Sequence, residues 1–566
     1  MQNQKTIIYQ LFPRLFGNTN TQMQVDGSRE QNGCGKFNDI SVKALKAIKE
    51  FGITHVWYTG VIEHAIVEGY PESRIANGNP LVIKGRAGSP YAIRDYYDVN
   101  ADLATDVNNR INEFKDLLDR THKLGLKAII DFVPNHLARQ YNSDQKPDGI
   151  EDFGTHDDVQ SAFSRDNNFY YLPGKSLLLS SAIQNRFPNS VYEEFPARAT
   201  GNDRFTSSPE ISDWYETIKL NYGIDIPGDG KKHFNPIPDT WHKMKQVLFY
   251  WARMGVDGFR CDMAEMVPVE FWEWIIPQLK QAYPWIIFIA EVYNPQLYKS
   301  YIKQGKFDYL YDKVGLYDTL IGVMKGERPA SDISECWQQL QGLDRSMLRF
   351  LENHDEQRIA SRFVCGEANK AIPAMAVSAF MHQGPLMHYN GQEVGETAEG
   401  VAGYSGDDGR TTIFDYWHMP QHQQWMNAGA FDGAQLSTAQ KELRGKYQAI
   451  NQMARQPAIS NGLFYDAMWH NADNANFNAG ACYAFLRYHD VQQLLIVCNF
   501  SSEAQKIKVK IPAHALEIIK VPRPSKLRFT CQKSKVTNSS GTEELINTGL
   551  AIEVPAYDYV IFELGW

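Results

Sequence analysis

The sequence predicts a (β/α)8 barrel with a domain inserted after its third strand, followed by an antiparallel β-sandwich. Three observations lead there. Eight short apolar runs alternate with longer segments of helical periodicity through most of the 566-residue chain. One connection, between the third run and the next helix, is roughly a hundred residues long. Beyond residue 453 the helical periodicity stops and short β-type runs take over. Strand–helix alternation gives parallel strands joined by right-handed crossovers, and eight such units close a barrel. An open doubly wound sheet is the structural alternative.

The candidate strands are 6–12, 53–58, 127–133, 256–262, 286–291, 307–311, 347–352 and 385–389. Each is a short apolar run, as strands buried on both faces require. Segments 42–51, 110–124, 240–254, 271–283 and 368–381 carry the spacing of helices with one apolar face. The long connection is rich in Asp, Asn, Ser, Gly and Pro, notably at 149–158 and 196–209. A structureless loop of that length is improbable inside a compact domain. Residues 137–235 are therefore expected to form an inserted domain, with the barrel built from 1–136 and 236–457. A second long connection, 390–437, follows the eighth strand and roofs the same barrel face. After a helix over 439–453, the runs 482–487, 493–498, 506–511, 516–521 and 557–564 are β-type with turn signals between them. No further helix is expected there, and 458–566 is expected to be the sandwich.

Composition narrows the functions. Apolar residues make up 43% and charged residues 22%, enough for a sizeable core. Lys plus Arg is 57 against 66 Asp plus Glu, a net charge of −9, which speaks against nucleic-acid binding. No apolar run approaches the ~18 residues that span a bilayer, so no membrane partner is expected. The 12 Trp and 29 Tyr offer faces that suit sugar rings, although most such residues serve a large core. Seven scattered Cys form no metal-type or redox-type pair and fit reduced thiols. No signal-peptide pattern precedes the first strand, so a cytoplasmic location is expected, or a periplasmic or secreted one if a leader was removed.

Four candidate strands end in ionisable residues. The third runs into Asp131-Phe132-Val133-Pro134-Asn135-His136 and the fourth into Gly258-Phe259-Arg260-Cys261-Asp262. The fifth ends at Glu291, and the seventh runs into Glu352-Asn353-His354-Asp355. Helix capping accounts for any one of these positions but poorly for four together. The carboxyl ends of parallel barrel strands all open on one face, where active sites lie. Three carboxylates with an Arg and two His suit acid–base and nucleophilic work on a neutral substrate. Glycoside cleavage needs such a pair: one carboxyl protonates the leaving oxygen, and another attacks carbon or activates water. Arg260 lies two residues before Asp262, so both side chains share a strand face and the guanidinium keeps the carboxylate ionised. Metal-dependent hydrolysis competes for such a set, but no HExxH-type His pair is present.

Together and in order, these motifs resemble those of the α-amylase family of glycoside hydrolases (family 13), and the likeness extends over essentially the whole chain. Residues 131–136 resemble its DxxxNH stretch, 258–262 its GFRxD stretch and 353–355 its NHD stretch. Tyr91, within Pro90-Tyr91-Ala92-Ile93-Arg94-Asp95-Tyr96, resembles the family's sugar-stacking tyrosine. The resemblance implies a retaining mechanism with Asp262 as nucleophile, Glu291 as acid/base and Asp355 as transition-state stabiliser. It also implies that Tyr91, His136, Arg260 and His354 contact the sugar at the cleavage point. Arg410, in the roof segment, is placed either to bind sugar hydroxyls or to pair with Asp407 or Asp415. The expected activity is hydrolysis of α-1,4-glucosidic bonds in starch-type glucans or maltooligosaccharides, with no cofactor. Transglycosylation on the same scaffold is the nearest alternative. A catalytically inactive glycan-binding protein is the other, and the complete carboxylate set speaks against it.

One departure concerns calcium. Many members of the family hold calcium between barrel and inserted domain, using an Asn, matched by Asn135, and a later Asp. Here the later stretch reads Ile218-Lys219-Leu220-Asn221, similar to neopullulanase and cyclodextrinase relatives. An ammonium cannot ligate calcium, so Lys219 argues against this site, and no metal ligand is assigned.

Overall fold

The computed structural model describes residues 5–340, 342–521 and 526–566. Its central sheet has eight parallel strands: β1 (Ile7–Leu11), β2 (His55–Tyr58), β3 (Lys127–Phe132), β4 (Gly258–Cys261), β5 (Ile287–Ala290), β6 (Tyr309–Tyr311), β7 (Met347–Leu348) and β8 (Leu386–Tyr389). Strands adjacent in sequence are adjacent in the sheet, and β8 pairs with β1. Arg349 pairs in parallel with Leu386, its N–H donating to Pro385 O at 3.0 Å and its carbonyl accepting from Met387 N at 2.8 Å. That pairing closes the ring between β7 and β8 and excludes an open sheet.

Why the strands read as unbroken apolar runs is visible in the packing. Ile8, Trp57, Ile129, Ile289, Leu348 and Met387 form a separate cluster inside the barrel. Their sequence neighbours Ile7, Tyr9, Val56, Ala128, Ile130 and Phe288 belong to the larger core beneath the helices. Both faces are therefore buried, with the two-residue alternation of a strand.

The surrounding layer contains α1 (Val42–Glu50), α2 (Arg110–Lys123), α3 (Asp239–Met254), α4 (Val269–Ala282), α5 (Tyr298–Lys303), α6 (Asp318–Met324), α7 (Ile333–Leu340), α8 (Ala371–Phe380) and α9 (Thr438–Met453). On α2, Phe114, Leu117, Leu118 and Thr121 are buried, the stripe expected of a one-faced helix. Ser41 and Ser437 cap α1 and α9 by accepting from the third amide of each helix. No helix among the described residues is long and apolar enough to cross a membrane.

β7 ends earlier than the sequence predicts. Glu352, expected on the strand, is buried and accepts from Arg358 Nη1 and Ile359 N, both at 2.8 Å. Pairing with that loop replaces ladder bonds, and the chain turns before Asn353.

The insert after β3 begins with His136–Ala138, which pairs antiparallel with Thr217–Lys219. Leu177, Leu179, Ile183, Ala197 and Tyr215 form a small core of its own, completed by Leu81 and Val82 from the β2–β3 connection. Arg139 and Arg198 flank the buried Glu194 at 2.7 and 2.8 Å. The insert is thus fastened to the barrel rim at His136 and Lys219, beside the carboxyl ends of the strands.

The C-terminal region holds a six-stranded antiparallel sheet and a two-stranded one, Gln505–Val509 with Leu550–Val554. Two sequence expectations are corrected here. Segment 516–521 is not a strand: Ala513–Ile518 is helical, started by Pro512 and burying Ala515 and Leu516. Thr542–Asn547 is a second helix where none was expected, with Glu543 and Glu544 favourably placed in its first turn. Both helices are six residues long, too short for periodicity to distinguish them from strands. Arg487, on Cys482–His489, donates to the carbonyls of Met381, Ala458, Ile459 and Gly462, which seats the sheet against the barrel.

Candidate active site

Arg260 is the organising group. It leaves β4 fully buried, its guanidinium 5.3–5.5 Å from the ring centres of Trp57, Tyr91 and Tyr311. Nη1 donates to Asp262 Oδ1 at 2.8 Å, and Nη2 lies 2.8 Å from Glu291 Oε2. Nε donates to Tyr311 OH at 3.1 Å. One cation thus holds the residue following β4 and the residue following β5. Asp262 Oδ2 has no hydrogen-bond partner among the described residues. Its nearest basic group is His136 Nε2, 3.9 Å away. Burial pushes the Asp262 carboxyl well above the usual range. Arg260 opposes that push, and Glu291 and Asp355 add to it.

Asp355, beyond β7, lines the same cavity as Asp262 and Glu291. Gln10 Nε2 donates to His354 Nδ1 at 2.8 Å, which leaves the ring proton on Nε2. That nitrogen is 3.1 Å from Asp355 Oδ2 and 2.5 Å from Tyr91 OH. Tyr91 OH donates in turn to Asp131 Oδ1 at 3.3 Å, and its ring stacks on His354. Partial burial pushes the Asp355 carboxyl up, but His354, Arg260 and Arg410 outweigh it and hold it at about 2. Asp355 is therefore a fixed negative charge at neutral pH. His136 is pushed down to about 3 by burial and by Lys219 and Lys84, so its imidazole is neutral.

These groups surround a cavity of about 270 Å3. Asp262, Glu291, Asp355, Tyr91 and His136 line it. Arg260 and His354 do not; they stand behind the carboxylates and aim them. Arg410 is also outside the lining. Its Nε donates to the Asp355 carbonyl at 2.7 Å and its Nη1 to Asp408 Oδ2 at 2.5 Å. Its acidic partner is thus Asp408 rather than Asp407 or Asp415. The structure adds Lys84, Trp214, Glu216, Tyr293 and Phe414 to the wall. Lys84 and Glu216, buried and 3.1 Å apart, bridge the β2–β3 connection to the insert. Two of these carried a sequence signal: Tyr293 stands two residues beyond Glu291, and Phe414 lies in the aromatic roof segment beside Arg410. A larger groove of about 780 Å3 on the C-terminal region, lined by Lys506, Lys508 and Glu553, brings no acid–base set together.

Two places bear on metal binding. Lys219 fills the position between barrel and insert: its Nζ donates to Asn135 Oδ1 and to Met266 O at 3.2 Å, and lies 2.7 Å from Asp203 Oδ1. Elsewhere Glu63, Asp98 and Asp144 bring carboxylate oxygens within 4.8 Å of one another, but Arg110 already grips both oxygens of Asp98.

A closed parallel barrel with three carboxylates gathered at its carboxyl rim defines a (β/α)8 hydrolase-type scaffold. The family model described as the α-amylase catalytic domain matches residues 10–511. The chain belongs to the α-amylase family. Neopullulanase 2 of Thermoactinomyces vulgaris is 22% identical over 530 residues, 90% of this chain and 71% of that protein. Oligo-1,6-glucosidase of Parageobacillus thermoglucosidasius is 25% identical over 444 residues, 69% of this chain and 65% of that one. An α-1,4-glucan:maltose-1-phosphate maltosyltransferase of Picrophilus torridus is 25% identical over 290 residues, half of this chain and only a third of the relative. Among solved structures, a maltogenic α-amylase of Thermotoga neapolitana superposes with a TM-score of 0.60 at 18% identity, covering 100% of this chain and 99% of that one.

Proposed function

We propose that the protein is a retaining glycoside hydrolase acting on α-1,4-glucosidic bonds of starch-type glucans or maltooligosaccharides. The observation that carries this reading is the clasp of Asp262 and Glu291 by neighbouring nitrogens of one guanidinium, with Asp262 Oδ2 left without a partner. The shared guanidinium keeps both carboxyls at one cavity, and retention is what the α-amylase family's mechanism implies for such a pair. In this mechanism Asp262 Oδ2 attacks the anomeric carbon as Glu291 gives its proton to the leaving oxygen. A glycosyl ester forms, and Glu291 then takes a proton from the attacking water. Asp355 supplies fixed negative charge where positive charge develops on the sugar ring. Tyr91 and His136 form the wall for that ring.

Trp214, Tyr293 and Phe414 offer aromatic surface beside the carboxylates, so a second sugar can compete with water for the intermediate. Product analysis over time on maltoheptaose, pullulan and a cyclodextrin tests the reading. Shorter linear products of retained α configuration are expected. Products longer than the substrate would make transglycosylation the principal reaction, and absence of cleavage on all three would overturn the proposal.

The Lys219 ammonium does the bridging that a cation does between barrel and insert, so catalysis is proposed to be calcium-independent. Exhaustive chelation is expected to leave activity and melting temperature nearly unchanged. A large loss restored specifically by calcium would contradict this. Lys219→Ala should lower stability by about 1–3 kcal/mol in thermal unfolding, discounted because Asp203 is 42% exposed. A cytoplasmic setting accords with seven unpaired cysteines, five of them buried.

A further inference from the structure

The two oxygens of Glu291 are held differently. Oε2 accepts from Met263 N at 2.8 Å and faces the Arg260 guanidinium at 2.8 Å. Among the described residues, Oε1 accepts from one group, the hydroxyl of Tyr293, at 2.5 Å. Tyr293 is itself fixed: Glu265 Oε2 accepts from its backbone N–H at 3.2 Å and from Asn294 N at 3.0 Å. Its ring lines the same cavity as Asp262 and Asp355.

An oxygen that already faces a guanidinium and a backbone N–H is a poor place for a proton, because both of those groups are donors. A hydroxyl is different, since it donates to a carboxylate and accepts from a carboxylic acid by rotating about its C–O bond. Resting on the reading of Glu291 as acid/base, we propose that Tyr293 is a positioning residue that makes Oε1 the proton-bearing oxygen of Glu291 and holds it in both half-reactions.

When Glu291 is protonated, the Oε1 proton passes to the leaving oxygen as the C1–O bond breaks and Asp262 Oδ2 bonds to C1. The bond electrons leave on the glycosidic oxygen, which the proton neutralises. Tyr293 then donates to the newly formed carboxylate at Oε1. In the second half, a water proton passes to Oε1 as the water oxygen bonds to C1 and the Asp262 ester opens. Tyr293 turns back to accept. The charged and titratable groups that also face Glu291 are Arg260 on β4, Asp262 after it and Tyr311 from β6, while Asp355, after β7, acts on Tyr293 itself. Tyr293→Phe changes none of them.

The test compares Tyr293→Phe with the parent on a maltooligosaccharide and on α-glucosyl fluoride, whose leaving group needs no proton. Removing a donor to the carboxylate should carry the high-pH limb of kcat/KM for the oligosaccharide upward by about one unit. Glycosyl-enzyme formation from the fluoride should be nearly unchanged. In a Glu291→Gln background, Tyr293→Phe should add almost nothing, because its effect passes through Glu291. An unmoved pH limb, equal losses on both substrates, or full additivity in the double variant would show that Tyr293 is only a wall aromatic and overturn the proposal. If Glu291→Gln alone lost both substrates equally, the assignment of Glu291 would fail first, so the two failures are distinguishable. Thermal unfolding of Tyr293→Phe checks that the fold is retained.

Discussion

Asp262→Asn is expected to abolish turnover while the protein stays folded. An amide cannot form the glycosyl ester, and loss of a covalent nucleophile costs on the order of 10⁴–10⁶-fold. The fold should tolerate the change. Arg260 keeps Glu291 at 2.8 Å and Asp131 at 3.6 Å, so the guanidinium does not lose its compensation. The sign of the stability effect follows from burial. A carboxyl whose proton affinity is raised in the folded state destabilises that state once it is ionised. Its neutral replacement should therefore leave the melting temperature at pH 7 equal or slightly higher. Kinetics on maltoheptaose with a thermal melt checks both halves, and near-normal hydrolysis would remove Asp262 from the nucleophile's role.

Glu291→Gln should give a different signature. A maltosyl leaving group departs as a poorly stabilised alkoxide, and general acid catalysis is typically worth about 10²–10⁴-fold. Fluoride leaves as a stable anion. Pre-steady-state formation of the glycosyl-enzyme should therefore collapse with maltooligosaccharides and fall only mildly with α-glucosyl fluoride. Asp262→Asn should lose both, because attack is needed in either case. Fluoride release is the quantity to follow, since Glu291 also serves deglycosylation and would mask the contrast at steady state. Equal losses on both substrates would return Asp355 to consideration as the acid.

What the sequence carried well were features set by local pattern. The strands could be located because each lies between two apolar layers, as Ile7 and Ile8 do on opposite faces of β1. The carboxyl rim could be read because Asp262, Glu291 and Asp355 each follow a strand and so open on one face. Tertiary choices were not legible. Lys84 and Glu216 lie far apart in sequence and meet only because the insert folds over the β2–β3 connection. The early end of β7 depends on Arg358 reaching back to Glu352. Arg410 turns to Asp408 and to the Asp355 carbonyl, a choice among neighbouring acids that spacing does not decide. The helices at Ala513–Ile518 and Thr542–Asn547 are too short to announce themselves by period.

The central claim is a covalent intermediate on Asp262, and trapping it is the most direct measurement. Glu291→Gln, incubated with 5-fluoro-α-glucosyl fluoride, should load readily because fluoride needs no acid and should turn over slowly because the base is missing. Proteolysis and peptide mass spectrometry would then locate the label. The account predicts one glycosyl group per chain, on the peptide containing Asp262 and absent from Asp262→Asn. A label on the Asp355 peptide, or no adduct together with first-formed products of inverted anomeric configuration, would contradict it.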